Sequence, residues 1–120
     1  MRIERELMRG AGPVAVLKLL DVRRQMYGYE LVEALARQSG GVLAMGQSTL
    51  YPMLYNLQAK GLIRAHWRST DAGRDRKYYA LTDRGRARLA AETRQWNAVV
   101  KAMAGLGVVD AAAPAKAVTT

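Results

Sequence analysis

The chain has 120 residues, no cysteine and a single histidine, His66, which excludes disulfide bonds, thiolate metal sites and a histidine-based metal cluster. No catalytic residue, metal site or cofactor is predicted. Nineteen Lys and Arg residues outnumber ten Asp and Glu residues, and the net charge of +9 favours a polyanionic partner over the alternative of scattered solubilising charge.

The first 22 residues carry apolar side chains at three- and four-residue spacing, which is typical of a helix. Pro13 and two nearby glycines interrupt this pattern, and proline is well tolerated at the first position of a helix. We therefore predict a short N-terminal arm carrying Ile3 and Leu7, followed by a buried helix that begins at Pro13. Residues 21–27 are predicted to form a polar connection.

Two more helices are predicted in the first half of the chain. One opens at Gly28 with an apolar side that includes Tyr29, and it ends at the Ser-Gly-Gly sequence of residues 39–41. The next runs from about Gln47 to Lys60 and stops before a glycine. Its inward positions follow helical spacing and are Leu50, Leu54 and Leu57.

After the third helix the apolar period changes to two, which predicts strands at residues 62–68 and 77–81. The polar and charged residues 69–76 join these strands into a hairpin with a basic tip. Trp67, like Tyr29, is predicted to lie in the core because large aromatic side chains are usually buried.

The last predicted element is a long helix that Thr82 can cap and that continues to about residue 106. Apolar residues repeat in it every seven positions, which is the spacing of a seam against a second helix. The repeating residues are Leu89, Trp96 and Met103.

The order of three helices, a basic hairpin and a long helix predicts a mainly α (α+β) fold, a winged helix-turn-helix with a long C-terminal dimerisation helix. The winged helix with its arm spans residues 1–82, the dimerisation helix residues 83–106, and a flexible tail residues 107–120. In this class the third helix enters the major groove of DNA, and the hairpin, or wing, lies along the backbone or minor groove.

The charge distribution agrees with this arrangement. Residues 64–88 contain eight basic and three acidic residues, a difference of +5 within the total of +9. The third helix carries mostly uncharged polar groups that suit base edges, although an ordinary amphipathic helix is the alternative. The predicted DNA contacts are Gln47, Ser48, Thr49, Tyr51, Tyr55 and Asn56 on this helix, and Arg74, Arg76 and Lys77 on the wing.

Four segments resemble the PadR family of bacterial winged-helix regulators in their order and spacing. They are YGYEL at residues 27–31, STLYPML at 48–54, KGLI at 60–63 and GRDRKYYALTDRG at 73–85. The resemblance implies a dimeric repressor in which the helix of Tyr51 reads DNA and the wing arginines grip it.

Only one long helix follows the wing, so the chain is similar to the short branch of this family and to a lactococcal multidrug-binding regulator within it. That resemblance implies that the last helix and the arm pack against a second subunit, and that planar aromatic compounds bind between tryptophans at the interface. The alternative is that Trp96 only fills the dimer core. The predicted interface residues are Ile3, Leu7, Leu89, Trp96 and Met103, and the predicted effector contacts are Trp96, Leu7, Val14, Val99 and Val100.

These inferences combine into the hypothesis of a ligand-responsive homodimer on a pseudo-palindromic DNA operator, with recognition helices roughly 34 Å apart. The rival hypothesis is a ligand-sequestering or protein-interaction module that keeps the scaffold without binding an operator. An enzyme ranks lowest because the acidic residues are scattered singly, apart from Glu4 and Glu6. The charged N-terminus and the lack of a long apolar run predict a cytoplasmic protein with no membrane partner.

Overall fold

The computed structural model describes residues 1–110, and its mainly helical architecture with one small sheet confirms the predicted fold class. In chain order the elements are α1 (Arg5–Arg23), β1 (Gln25–Tyr27), α2 (Gly28–Gln38), α3 (Gln47–Ala59), β2 (Ile63–Ser69), β3 (Asp75–Leu81) and α4 (Asp83–Leu106). None of the helices within these residues is long and apolar enough to cross a membrane.

Helix α1 is continuous through Pro13, so the predicted break between arm and helix is wrong. The residues buried before and after the proline, Met8, Gly12 and Val16, recur every four positions. Because they share one face against the core, their burial outweighs the hydrogen bond that a proline removes. Gly12 also allows close packing, since a Cβ there would lie 2.7 Å from the Cε atom of Met53.

Strand β1 was not predicted, because residues 21–27 were interpreted as a polar connection. The first three of them complete α1, and Arg24 ends that helix with its N–H donating to the Leu20 carbonyl at 2.9 Å. Met26 is fully buried and pairs with Tyr79 in β3. A three-residue strand is too short to show a period of two, so its existence depends on this long-range pairing.

Helices α2 and α3 begin at the predicted residues. The backbone N–H of Tyr27 donates to the Glu30 carboxylate at 3.0 Å, which satisfies a backbone donor at the start of α2. Leu50, Leu54 and Leu57 are buried, as their spacing predicts. α3 is therefore held by one apolar side and presents the other side outward.

The sheet has the order β1-β3-β2, and both neighbouring pairs are antiparallel. The wing strands reach closer to the tip than predicted, because Ser69 pairs with Asp75 and its hydroxyl donates to that carboxylate at 3.0 Å. The tip is thereby reduced to residues 70–74, where the Thr70 N–H donates to the Arg74 carbonyl at 3.0 Å.

Thr82 caps α4 as predicted, since its hydroxyl accepts the Gly85 N–H at 2.9 Å. The same hydroxyl lies 2.7 Å from the Gly61 carbonyl oxygen and 3.0 Å from that of Leu62, to which it can donate. A Cβ at Gly85 would collide with the Leu62 carbonyl oxygen. The start of α4 is therefore locked onto the entry to β2, which fixes the base of the wing.

The chain divides into one compact unit, Met1–Leu89, and a second unit that begins at Ala90. The core of the first unit contains Leu89, and Ile3 packs against it. Leu89 is 6% exposed in its own chain, so little of its surface is left for the predicted contact with a second subunit. Ile3 is partly buried against the same core. Residues 111–120 of the predicted tail lie outside the described part of the chain.

Candidate nucleic-acid interface

The outward side of α3 is polar and uncharged. Its first turn exposes Gln47, Ser48 and Thr49, three of the predicted DNA contacts. Among the others, Tyr55 is 73% exposed, and Asn56 is also exposed. Short hydroxyl and amide groups on an accessible helix can donate to and accept from base edges and phosphate oxygens.

Tyr51 is held in place by the first residue of α2. A Cβ at Gly28 would overlap the Tyr51 hydroxyl and lie 2.8 Å from its Cζ atom, so the phenol ring rests directly on the glycine. The Tyr51 side chain still has 43% of its surface exposed. A partly exposed ring with a fixed position is pre-organised for contact, because little rotamer freedom remains to be lost on binding.

The cations of the wing are held over tyrosine rings. The Arg76 guanidinium carbon lies 4.3 Å from the ring centroid of Tyr27, and that of Arg68 lies 4.6 Å from the centroid of Tyr78. The two tyrosine rings meet edge to face, with centroids 5.4 Å apart. Stacking on a ring orients a guanidinium while leaving its N–H groups able to bind phosphate.

The remaining predicted wing contacts lie at different depths. Arg74 is exposed at the tip, where its backbone N–H donates to the Thr70 hydroxyl at 3.3 Å. Lys77 is half-buried, with its Nζ atom 5.7 Å from the ring centroid of Tyr79. Burial raises the pKa of the Tyr79 hydroxyl above its usual range, and the nearby Tyr51 raises it further. Tyr79 therefore stays neutral beside Lys77.

A groove of about 300 Å³ lies where α3, the start of α2 and the wing meet. Two of its lining residues were predicted to be core aromatics, and that prediction is wrong. Tyr29 is 52% exposed and Trp67 is 67% exposed. The groove residues are Tyr27, Gly28, Tyr29, Tyr51, Trp67, Arg76, Lys77 and Tyr79.

Sequence patterns missed Tyr29 and Trp67 because an aromatic residue at an apolar position has the same signature whether it is buried or exposed. Exposed aromatic side chains gathered in one groove commonly mark a contact site. The adjoining cations Arg76 and Lys77 give this groove the composition of a surface for a nucleic-acid backbone.

The predicted interface and effector residues fall in two units. In the first unit Leu7 is exposed, whereas Val14 is half-buried against the core. In the second unit four predicted residues on α4 are exposed in this single chain and recur at helical spacing. They are Trp96, Val99, Val100 and Met103.

A winged helix-turn-helix protein is defined by three features together: the α2–α3 pair joined by residues 39–46, the outward polar side of α3 and the basic β2–β3 hairpin. A match to a family model identifies the family within this class. The chain belongs to the PadR-like family of transcriptional regulators, whose model matches residues 16–91.

Solved structures agree with that assignment. A PadR-family transcriptional regulator from Eggerthella lenta is 35% identical, with a TM-score of 0.72 over 84% of this chain and 85% of that one. A Streptococcus transcriptional regulator is 31% identical, with a TM-score of 0.75 over 87% and 99%. Bacillus subtilis PadR, solved in complex with operator DNA, is 26% identical, with a TM-score of 0.61 over 68% and 45%.

Proposed function

We propose that this transcriptional regulator is a homodimeric repressor that binds a pseudo-palindromic operator through the groove between α3 and the wing. The observation that carries this proposal is the meeting, in one groove, of Tyr51 on the uncharged reading helix with Trp67, Arg76 and Lys77 on the wing. The complex of Bacillus subtilis PadR with operator DNA supports the proposal that the present chain, a relative of that protein, also binds DNA.

The two sides of the groove would contact different parts of the DNA. α3 has no charged residue, so its contribution comes from short-range hydrogen bonds and ring contacts that depend on the base sequence. The wing cations act on phosphates, whose charge is the same at every base pair. Tyr29 and Trp67 then contact the sugar–phosphate backbone beside the helix.

Trp67 provides a direct test because the chain has only two tryptophans. In a Trp96→Phe variant all tryptophan fluorescence comes from Trp67. We expect operator duplex to protect this fluorescence from quenching by acrylamide. The protection should be complete at the same ratio of protein to DNA at which a gel-shift assay shows complete complex formation. The Trp67→Phe variant, in which only Trp96 emits, is the matched control. Complex formation without a change at Trp67 would contradict the proposed groove.

We infer homodimerisation from the exposed apolar row on α4. Trp96, Val99, Val100 and Met103 follow the spacing of a helix–helix seam, and pairing two copies would cover all four. Trp96→Asp is expected to produce monomers in sedimentation equilibrium and to abolish cooperative operator binding. Ala98→Asp is the control, because position 98 is exposed on the opposite side of α4. A dimer that survives Trp96→Asp would exclude this seam.

We further propose that an aromatic effector binds at the dimer interface. Trp96 has 36% of its surface exposed, and two copies facing each other could enclose a planar compound by stacking. With Trp67 replaced by Phe, planar aromatic dyes are expected to quench the remaining fluorescence and to weaken operator binding together. Equal quenching of the Trp96→Phe variant would remove Trp96 from the effector site.

A further inference from the structure

A second cleft, of about 550 Å³, lies in the first unit and shares no lining residue with the groove described above. It is bordered by the end of α1, by the sheet and by the first turn of α4. Arg64 is in register with Ala80, and His66 with Tyr78, so these side chains occupy the sheet face opposite Tyr79. Its polar lining residues include Asp21, Arg24, Arg64, His66 and Arg86.

The cleft lies over buried core residues and has a cationic rim. Leu20, Ala80 and Leu81 are buried beneath it. Three arginines reach the same opening: Arg24 after the end of α1, Arg64 on β2 and Arg86 on α4. Among the described lining residues Asp21 is the one acid. One of the three, Arg86, also pairs with Asp83 at 2.8 Å through a single nitrogen, which leaves its other N–H groups available.

Arg24 carries a second and independent signal. Its backbone lies at φ 73° and ψ −55°, and among residues 1–110 it is the one residue other than glycine with a positive φ. This is the region of the strained γ-turn, which an L-residue with a side chain rarely adopts. This conformation ends α1 abruptly and places the Arg24 side chain at the edge of the cleft. A glycine would adopt the same positive φ without strain.

We infer that this cleft binds a phosphate-bearing small molecule of about nucleotide size. A guanidinium pairs with phosphate through two parallel N–H bonds, and several guanidinium groups call for a ligand with more than one negative charge. The half-buried His66 ring offers a surface for the uncharged part of such a ligand. The inference does not depend on operator binding, because the two clefts have separate linings.

His66 gives a specific reporter, since it is the only histidine of the sequence. Its imidazole proton signals can be followed by NMR without assigning the rest of the spectrum. We expect ADP and inorganic pyrophosphate, added without metal at low ionic strength, to shift these signals saturably. Adenosine, which has the same base and sugar but no phosphate, is expected to leave them unchanged.

Two variants separate binding from folding. Arg24→Gln with Arg64→Gln is expected to weaken pyrophosphate binding by about tenfold or more, because two charge-assisted contacts are removed. The matched control is Arg37→Gln with Arg94→Gln, two exposed arginines outside the cleft. Arg24→Gly is expected to weaken binding while keeping or raising the melting temperature, because glycine accepts the positive φ.

Three results would overturn the inference. The first is an unshifted His66 signal at millimolar ADP and pyrophosphate. The second is the same affinity in the Arg24→Gln, Arg64→Gln variant as in its control. The third is displacement of bound pyrophosphate by one equivalent of duplex DNA, which would make the cluster a DNA phosphate contact. Operator binding that fails while pyrophosphate still shifts His66 would contradict the proposed function alone.

Discussion

The recognition helix and the wing face the same groove with opposite chemistry. α3 has no charged residue and shows uncharged polar groups and tyrosine rings outward, whereas the wing brings the cations Arg76 and Lys77 to the groove. Neutral groups act only at hydrogen-bond distance, while cations attract a polyanion over about a Debye length. This difference teaches that specificity for a base sequence and general affinity for DNA can come from separate elements of one small domain.

The two elements are also held in place differently. α3 is fixed by its buried leucines and by the contact of Tyr51 with Gly28. The wing is fixed at its base, where Thr82 and Gly85 join the start of α4 to the Gly61–Leu62 backbone. Each support can therefore be weakened by a substitution that leaves the other intact.

The largest expected effect breaks the support of the wing. Gly85→Ala places a methyl group against the Leu62 carbonyl oxygen, and we expect the free energy of unfolding to fall by about 3 kcal/mol in urea denaturation. Gly105→Ala is the same substitution in the same helix, with no described atom within 4 Å. It is expected to leave stability unchanged or slightly raised. Equal stability of the two variants would contradict the locked junction.

The next effect concerns the reading helix. Tyr51→Ala is expected to lower operator affinity by about 2 kcal/mol, or roughly thirtyfold, and random-duplex affinity by much less. Tyr51→Phe tests whether the hydroxyl carries the difference. Gln58→Ala, an exposed position near the end of α3, is the control in the same fluorescence-anisotropy titration. Equal losses on both duplexes would remove Tyr51 from base recognition.

A smaller effect tests how Tyr51 is positioned. Gly28→Ala must displace the phenol ring, and we expect a loss of about 1 kcal/mol in operator affinity. In a Tyr51→Ala background the same substitution is expected to cost nothing further, because the ring it displaces is absent. Additive losses in this double-mutant cycle would show that Gly28 acts on DNA binding by another route.

Local signals in the sequence predicted much of this molecule. The leucines at every third or fourth position gave the buried side of α3, and Thr82 marked the start of α4 through its own capping bond. Both features depend on residues close together in the chain. The residues of the outward polar side of α3 followed directly, since they are those that the leucines leave exposed.

Long-range features were not predictable in the same way. β1 exists because Met26 pairs with Tyr79, more than fifty positions along the chain. Leu89 fits a seven-residue repeat, yet it belongs to the core of its own chain, because the same period describes a seam and a buried face. Tyr29 and Trp67 were placed in the core because only the meeting of α2, α3 and the wing creates the groove that exposes them.

The most direct test of the division between helix and wing is the salt dependence of DNA binding. For Arg74→Ala with Arg76→Ala, we expect the negative slope of log affinity against log salt to become shallower by about 2 per subunit. The change should be the same on operator and random duplex. For Tyr51→Ala we expect the slope to stay at the parent value while operator preference declines. An unchanged slope in the wing variant, or a reduced slope in the Tyr51 variant, would contradict the account.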